Sequence, residues 1–123
     1  MRTRTSLVIL TMLTLLLAGC GNSQDKTVIN YCKALESGKV DEAASYLSKE
    51  ALQELERIGG KSVLAASGEA FKQQKGIKKI TIVKSQVNGD KATVDFVYNF
   101  NDGSKLPDNF PLVKEDGKWK ISK

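Results

Sequence analysis

The sequence predicts an α+β domain in which N-terminal helices pack on one face of an antiparallel sheet of about four strands. Three observations carry this. Apolar residues recur at three- and four-residue spacing from about Lys26 to Gln74, the period of amphipathic helices. From about Ile77 they alternate, the period of half-buried strands. Three turn signals, Asn88-Gly89-Asp90, Asn101-Asp102-Gly103 and Glu115-Asp116-Gly117, divide that second half. Helices first and antiparallel strands last is the order of an α+β layer fold.

Val28, Tyr31, Cys32 and Leu35 form the apolar stripe of the first helix, which Ser37-Gly38 stops. Asp41 opens a short second helix with Ala43, Ala44 and Leu47 inward. Ser48 caps a third, with Leu52, Leu55 and Ile58 as its inner face and Gly59-Gly60 as its end. Residues 61–74 carry Val63, Leu64, Ala66, Ala70 and Phe71, a further helix interrupted near Gly68. Ile80 and Ile82 alternate until a shift near Val83, the mark of a bulge. Ala92, Val94, Phe96, Tyr98 and Phe100 then share one face of a central strand, with Thr93, Asp95, Val97 and Asn99 on the other. Phe110, Leu112 and Val113 belong to a third strand, which Pro107 and Pro111 push toward an edge or an irregular entry. Trp119 and Ile121 close the sheet.

The first nineteen residues stand apart. Arg2 and Arg4 precede an apolar run from Leu7 to Leu17, and small residues follow, the layout of a secretory signal. Eleven residues of helix reach about 17 Å, well short of a hydrocarbon core about 30 Å thick. The segment Leu17-Ala18-Gly19-Cys20 resembles the lipobox of bacterial lipoproteins. That resemblance implies a signal peptide over 1–19, acylation of Cys20, and membrane lipid as a partner. It also implies an exported chain anchored to a bacterial membrane, inner or outer. Residues 20–26 are expected as a lipidated polar tether and 27–123 as a single domain.

Composition excludes more chemistry than it suggests. The chain contains no histidine, which removes the commonest general base near neutral pH, the commonest metal ligand, and the Ser-His-Asp and Cys-His arrangements. No catalytic residue, metal site or cofactor is expected. Gly59-Gly60-Lys61-Ser62 lacks the leading glycine of a nucleotide loop and follows a helix. Asp41-Glu42 and Glu115-Asp116 are cap and turn chemistry, and Asp95 lies on the face opposite Phe96. With Cys20 acylated, Cys32 has no intramolecular partner, so a buried thiol is expected, an intermolecular disulfide or a reactive thiol being the alternative. The formal charge of +5 falls to +3 without Arg2 and Arg4. Lys72, Lys75, Lys78 and Lys79 form the densest basic cluster, either a solvated face or a site for an anionic partner. Export argues against nucleic acid as that partner.

Three segments together resemble a known group: Val28-x-x-Tyr31-x-x-Ala34-Leu35-x-x-Gly38, Val87-Asn88-Gly89-Asp90-Lys91-Ala92, and Leu112 to Ile121 with its Gly117-Lys118-Trp119-Lys120-Ile121 close. They are similar to small bacterial lipoproteins carrying the domain DUF4878, within the nuclear-transport-factor-2-like (NTF2-like), or cystatin-like, superfamily. The resemblance implies a curved antiparallel sheet around N-terminal helices, leaving a cone-shaped cavity. Tyr31, Phe96, Tyr98 and Trp119 are the candidate walls of that cavity, the alternative being that they fill a core. Fold membership does not choose a function. Two readings follow: a non-enzymatic accessory module with an envelope protein partner, and a carrier or sensor of a small apolar ligand.

Overall fold

A computed structural model describes residues 23–123. The chain forms α1 (Ser23–Glu36), α2 (Val40–Ser45), α3 (Lys49–Ile58), α4 (Lys61–Gln73), β1 (Ile77–Asn88), β2 (Lys91–Phe100), β3 (Lys105–Glu115) and β4 (Lys118–Ile121). The strands make one antiparallel sheet in the order β1-β2-β3-β4, with every neighbour joined by a hairpin. The α+β class, the helices-then-strands order and the four-stranded curved sheet are as the sequence predicts.

The central strand sets the core. Ala92, Val94, Phe96, Tyr98 and Phe100 are all buried against the helices, while Thr93, Asp95, Val97 and Asn99 face outward. The anticipated bulge is present: the β1–β2 register shifts between Ile82 and Lys84, and Val83 stands out with 65% of its surface exposed. A bulge switches strand parity. Before it Ile80 and Ile82 face the helices; after it Ser85, opposite Val94, takes that side. Pro107 lies where β3 is an open edge, because β4 pairs only with Leu112–Glu115. The Pro111 carbonyl accepts from the Ser122 N–H at 2.8 Å, a bond that needs nothing from its missing donor.

Several elements depart from the sequence expectation. The first helix begins at Ser23, inside the segment expected as a tether, because its first turn has tertiary partners. Gln24 and Asp25 are buried, and Gln24 Nε2 donates to Ser85 Oγ at 2.7 Å. The C-terminus of α1 follows the expected stop: Gly38 has φ +75°, and the Gly38 and Lys39 N–H groups return to the carbonyls of Leu35 and Ala34. Ser48 caps α3, its side chain accepting from the Ala51 N–H at 3.1 Å. Ile58, expected inside, is 53% exposed, since α3 meets the core through Leu52 and Leu55 and its last turn runs past it.

The largest difference is α4, which runs through Gly68 without interruption. Glycine is required there by packing and not by backbone conformation: a Cβ would collide with the Leu35 carbonyl oxygen. That close crossing turns Leu64 and Phe71 into the core and leaves Ala66 and Ala70 exposed. Gly68→Ala should therefore destabilise the domain by about 1–3 kcal/mol, the usual cost of overpacking, although alanine gains about 1 kcal/mol of helix propensity. Urea unfolding would measure it, and a variant as stable as the parent would refute the close-crossing account.

Candidate functional site

The inner face of β2 and the helix above it bring most of the predicted site residues together. Phe96 meets Tyr98 edge-on at 5.1 Å between ring centroids, and Tyr98 stacks with Phe100 at 5.7 Å. Phe71 from α4 tilts against Tyr98 at 5.1 Å, and Phe110 from β3 lies 5.2 Å from Phe96. Tyr31, half-buried on α1, packs edge-on against Phe110 at 5.7 Å. Such pairs contribute about 0.5–1.5 kcal/mol each beyond the area they bury. Tyr31, Phe96 and Tyr98 are thus joined through Phe110 into one aromatic cluster between helices and sheet. Trp119 is buried apart from them on β4, its carbonyl accepting from Thr27 Oγ1 and Lys114 Nζ lying 5.2 Å from its ring.

At the centre of the cluster sits Cys32, fully buried, its Sγ donating to the Tyr98 hydroxyl at 3.6 Å. Burial pushes the thiol up to about 12; the bond to Tyr98 acts against this rise, and the negative charges of Asp108 and Glu36 add to it. Tyr31 is pushed up to about 12, chiefly by burial and then by Cys32. Tyr98 is raised further by the same two causes. At neutral pH the cluster therefore holds a thiol and two phenols, all neutral. A thiolate is the nucleophile and the metal ligand, and burial disfavours that form of Cys32.

Asp108 is the residue that sequence reasoning missed. It pairs with Phe96 and so lies on the helix side of β3, but exposed, and its Oδ1 accepts from the Asn109 N–H at 2.8 Å. The signal was available: stepping back two residues from inward Phe110 reaches Asp108. Asp95 lies on the outer face as expected. Cys20 lies outside the described residues. Among the described residues no group of three or more Cys, Asp or Glu side chains is placed to hold a metal ion, and no helix is long and apolar enough to cross a membrane.

The basic residues gather at one end of the domain, where α4 gives way to β1 and the β2–β3 turn lies alongside. Lys72 is held by Glu69 at 3.4 Å. Lys78, Lys79 and Lys105 line a surface cleft of about 330 Å³ with Asn99, Phe100 and Ser104. A larger cleft of about 510 Å³ lies at the opposite end, between Ser48, Lys91, Pro111 and Lys123, with Glu50 and Glu115 among its walls.

A four-stranded curved sheet wrapped on one face by N-terminal helices is the NTF2-like fold, and solved structures bear this out. The chain is similar to an NTF2-like protein from Campylobacter jejuni described as a candidate transpeptidase, with 26% identity, a TM-score of 0.67, and coverage of 80% of this chain and 96% of that one. It shares its fold with the de novo designed NTF2 protein NT-9, at 20% identity, TM-score 0.53 and 80% coverage of each chain. A DUF4783 family protein from Bacteroides ovatus matches at 16% identity and TM-score 0.52, over 76% of this chain and 86% of that one. Residues 18–122 match the family described as domain of unknown function DUF4878, and the chain belongs to that family. No curated protein matches it.

The raised thiol and phenols give a signed pH dependence. The folded state holds these protons more tightly than the unfolded chain, so the stability they supply is complete below about pH 9. It is lost as pH rises from about 9 toward 12. Unfolding free energy measured across that window should fall, and Cys32→Ala should make the fall shallower. In the native protein at pH 8, an aromatic disulfide reagent should label Cys32 only as fast as the domain opens. Rapid stoichiometric labelling would contradict its burial.

Proposed function

We propose that the protein is a non-enzymatic interaction module of the bacterial cell envelope, held at a membrane by lipid on Cys20. The observation that carries the non-enzymatic part is the neutral Cys32–Tyr98 pair sealed within packed rings. Acyl transfer of the kind in the C. jejuni neighbour's description needs an activated nucleophile. Here the buried thiol is protonated, and the buried Ser48 hydroxyl is engaged as a helix cap. The same ring packing weighs against the carrier reading, since Phe96 and Tyr98 occupy the space their cavity would need. The anchor rests on the Leu17-Ala18-Gly19-Cys20 pattern.

The test uses the full chain expressed in a bacterium. Mass spectrometry should find Cys20 as a lipid-bearing N-terminus in the membrane fraction, and Cys20→Ala should move the protein out of that fraction. An unmodified Cys20 in a soluble product would refute the anchor. Solvent extraction of the denatured protein should release no small molecule at one-to-one stoichiometry. Recovery of one would replace the module with a carrier.

A further inference from the structure

We propose that the sheet end bearing Lys78, Lys79 and Lys105 docks a linear, phosphate-bearing polyanion of the envelope. This rests on the module reading above and names the chemistry of its partner. The cleft these lysines line has no carboxylate in its walls. Lys79 and Lys105 are the two cross-strand partners of Asn99 on the outer face of the sheet, so the three side chains form one row. With neighbouring strands about 4.8 Å apart, the two lysine backbones stand about 10 Å from each other. Asn99 Nδ2, tied to Thr81 Oγ1 at 2.9 Å, holds the middle of the row.

Neighbouring acids leave these charges free. Glu69 takes Lys72, and Asp102 accepts from the Ser104 N–H at 2.8 Å with Lys75 nearby. Glu36 is turned inward to the Ile77 N–H. Among the described residues, Lys78, Lys79 and Lys105 make no ion pair. All the cations here are lysines, compact point charges that can each meet one phosphate oxygen along a chain without the fixed planar fork of arginine. An open row matches an extended polymer better than a small anion enclosed on all sides.

The row also lies away from the anchor. The start of α1 is tied to Ser85, and six residues of β1 separate Ser85 from Lys79, about 20 Å along a strand. Residues 20–22 reach at most about 10 Å when extended. The partner proposed is a polymer beyond the anchoring bilayer, and the bilayer's own headgroups are the alternative that vesicles test.

Titration of the full chain with inorganic polyphosphate of defined length tests this. Polyglutamate of matched charge and phosphatidylglycerol vesicles serve as the alternatives. Polyphosphate should bind, and should weaken as salt is raised. The double variant Lys79→Glu/Lys105→Glu should weaken it tenfold or more, and Lys79→Gln/Lys105→Gln by a smaller factor. Lys91→Glu/Lys118→Glu, at the opposite end, should change it less than twofold. Thermal unfolding of each variant checks its fold, and the glutamine pair decides if the reversal pair is unfolded. Absent polyphosphate binding, equal effects at the two ends, or polyglutamate binding as tightly would each overturn the proposal. So would capture of Cys20→Ala protein by vesicles through the same lysines. Polyphosphate binding by Cys20→Ala protein should equal that of the native chain, so failure of the anchor and failure of this site are read separately.

Discussion

Helix α1 is fastened across the sheet at both ends, and the remaining packing is organised around that fastening. At its N-terminal end Gln24 reaches Ser85; at its C-terminal end Glu36 accepts from the Ile77 N–H. Between them Val28 and Cys32 lie against the inner face of the sheet with no exposed surface. The first tie depends on the bulge at Val83, which gives Ser85 the parity to face the helix. The second places a carboxylate at the entry to β1, where Gly76 has φ +84° and its own N–H returns to the Phe71 carbonyl.

Helix α4 then completes the layer. Its approach to the Leu35 carbonyl, permitted by Gly68, sets Phe71 against Tyr98 and Phe100. The segment between α2 and α3 extends the sheet instead of covering it: Ile121 donates to the Tyr46 carbonyl, and Ser48 donates to that of Ile121, both at 2.8 Å. A short parallel bridge from Leu47 to Ile121 results, and β4 gains a neighbour that its four residues would otherwise lack. Ser48 serves twice, once through its N–H in this bridge and once through its side chain as the α3 cap.

The chemical character of the protein follows from that packing. Burial of Cys32 favours its protonated form. Lys78, Lys79 and Lys105, outside every ion pair among the described residues, lie at one end of the sheet. Their positions are set by strand pairing, which puts Lys79 and Lys105 on either side of Asn99 although 26 residues separate them in sequence. Recognition on such a fold is a property of its surface, which the shared architecture leaves open.

Much of this was legible from local pattern. The alternation of Ala92 to Phe100, the Gly38 stop, the Ser48 cap and the bulge at Val83 each arise from one segment's own sterics and periodicity. A single segment displays that information in full, and DUF4878 membership followed from the same segments. The side of β3 on which the exposed Asp108 sits was legible too, through the parity of Phe110. What only tertiary structure decided were contacts between segments distant in sequence. Gly68 marks a helix break on propensity alone, yet it is a helical residue because another helix crosses it. Ser23 to Lys26 look like a polar tether until Ser85 supplies a partner 61 residues away. Whether aromatic residues line a cavity or fill it depends on how closely α1, α4 and β3 approach β2, and that distance is a property of the whole core.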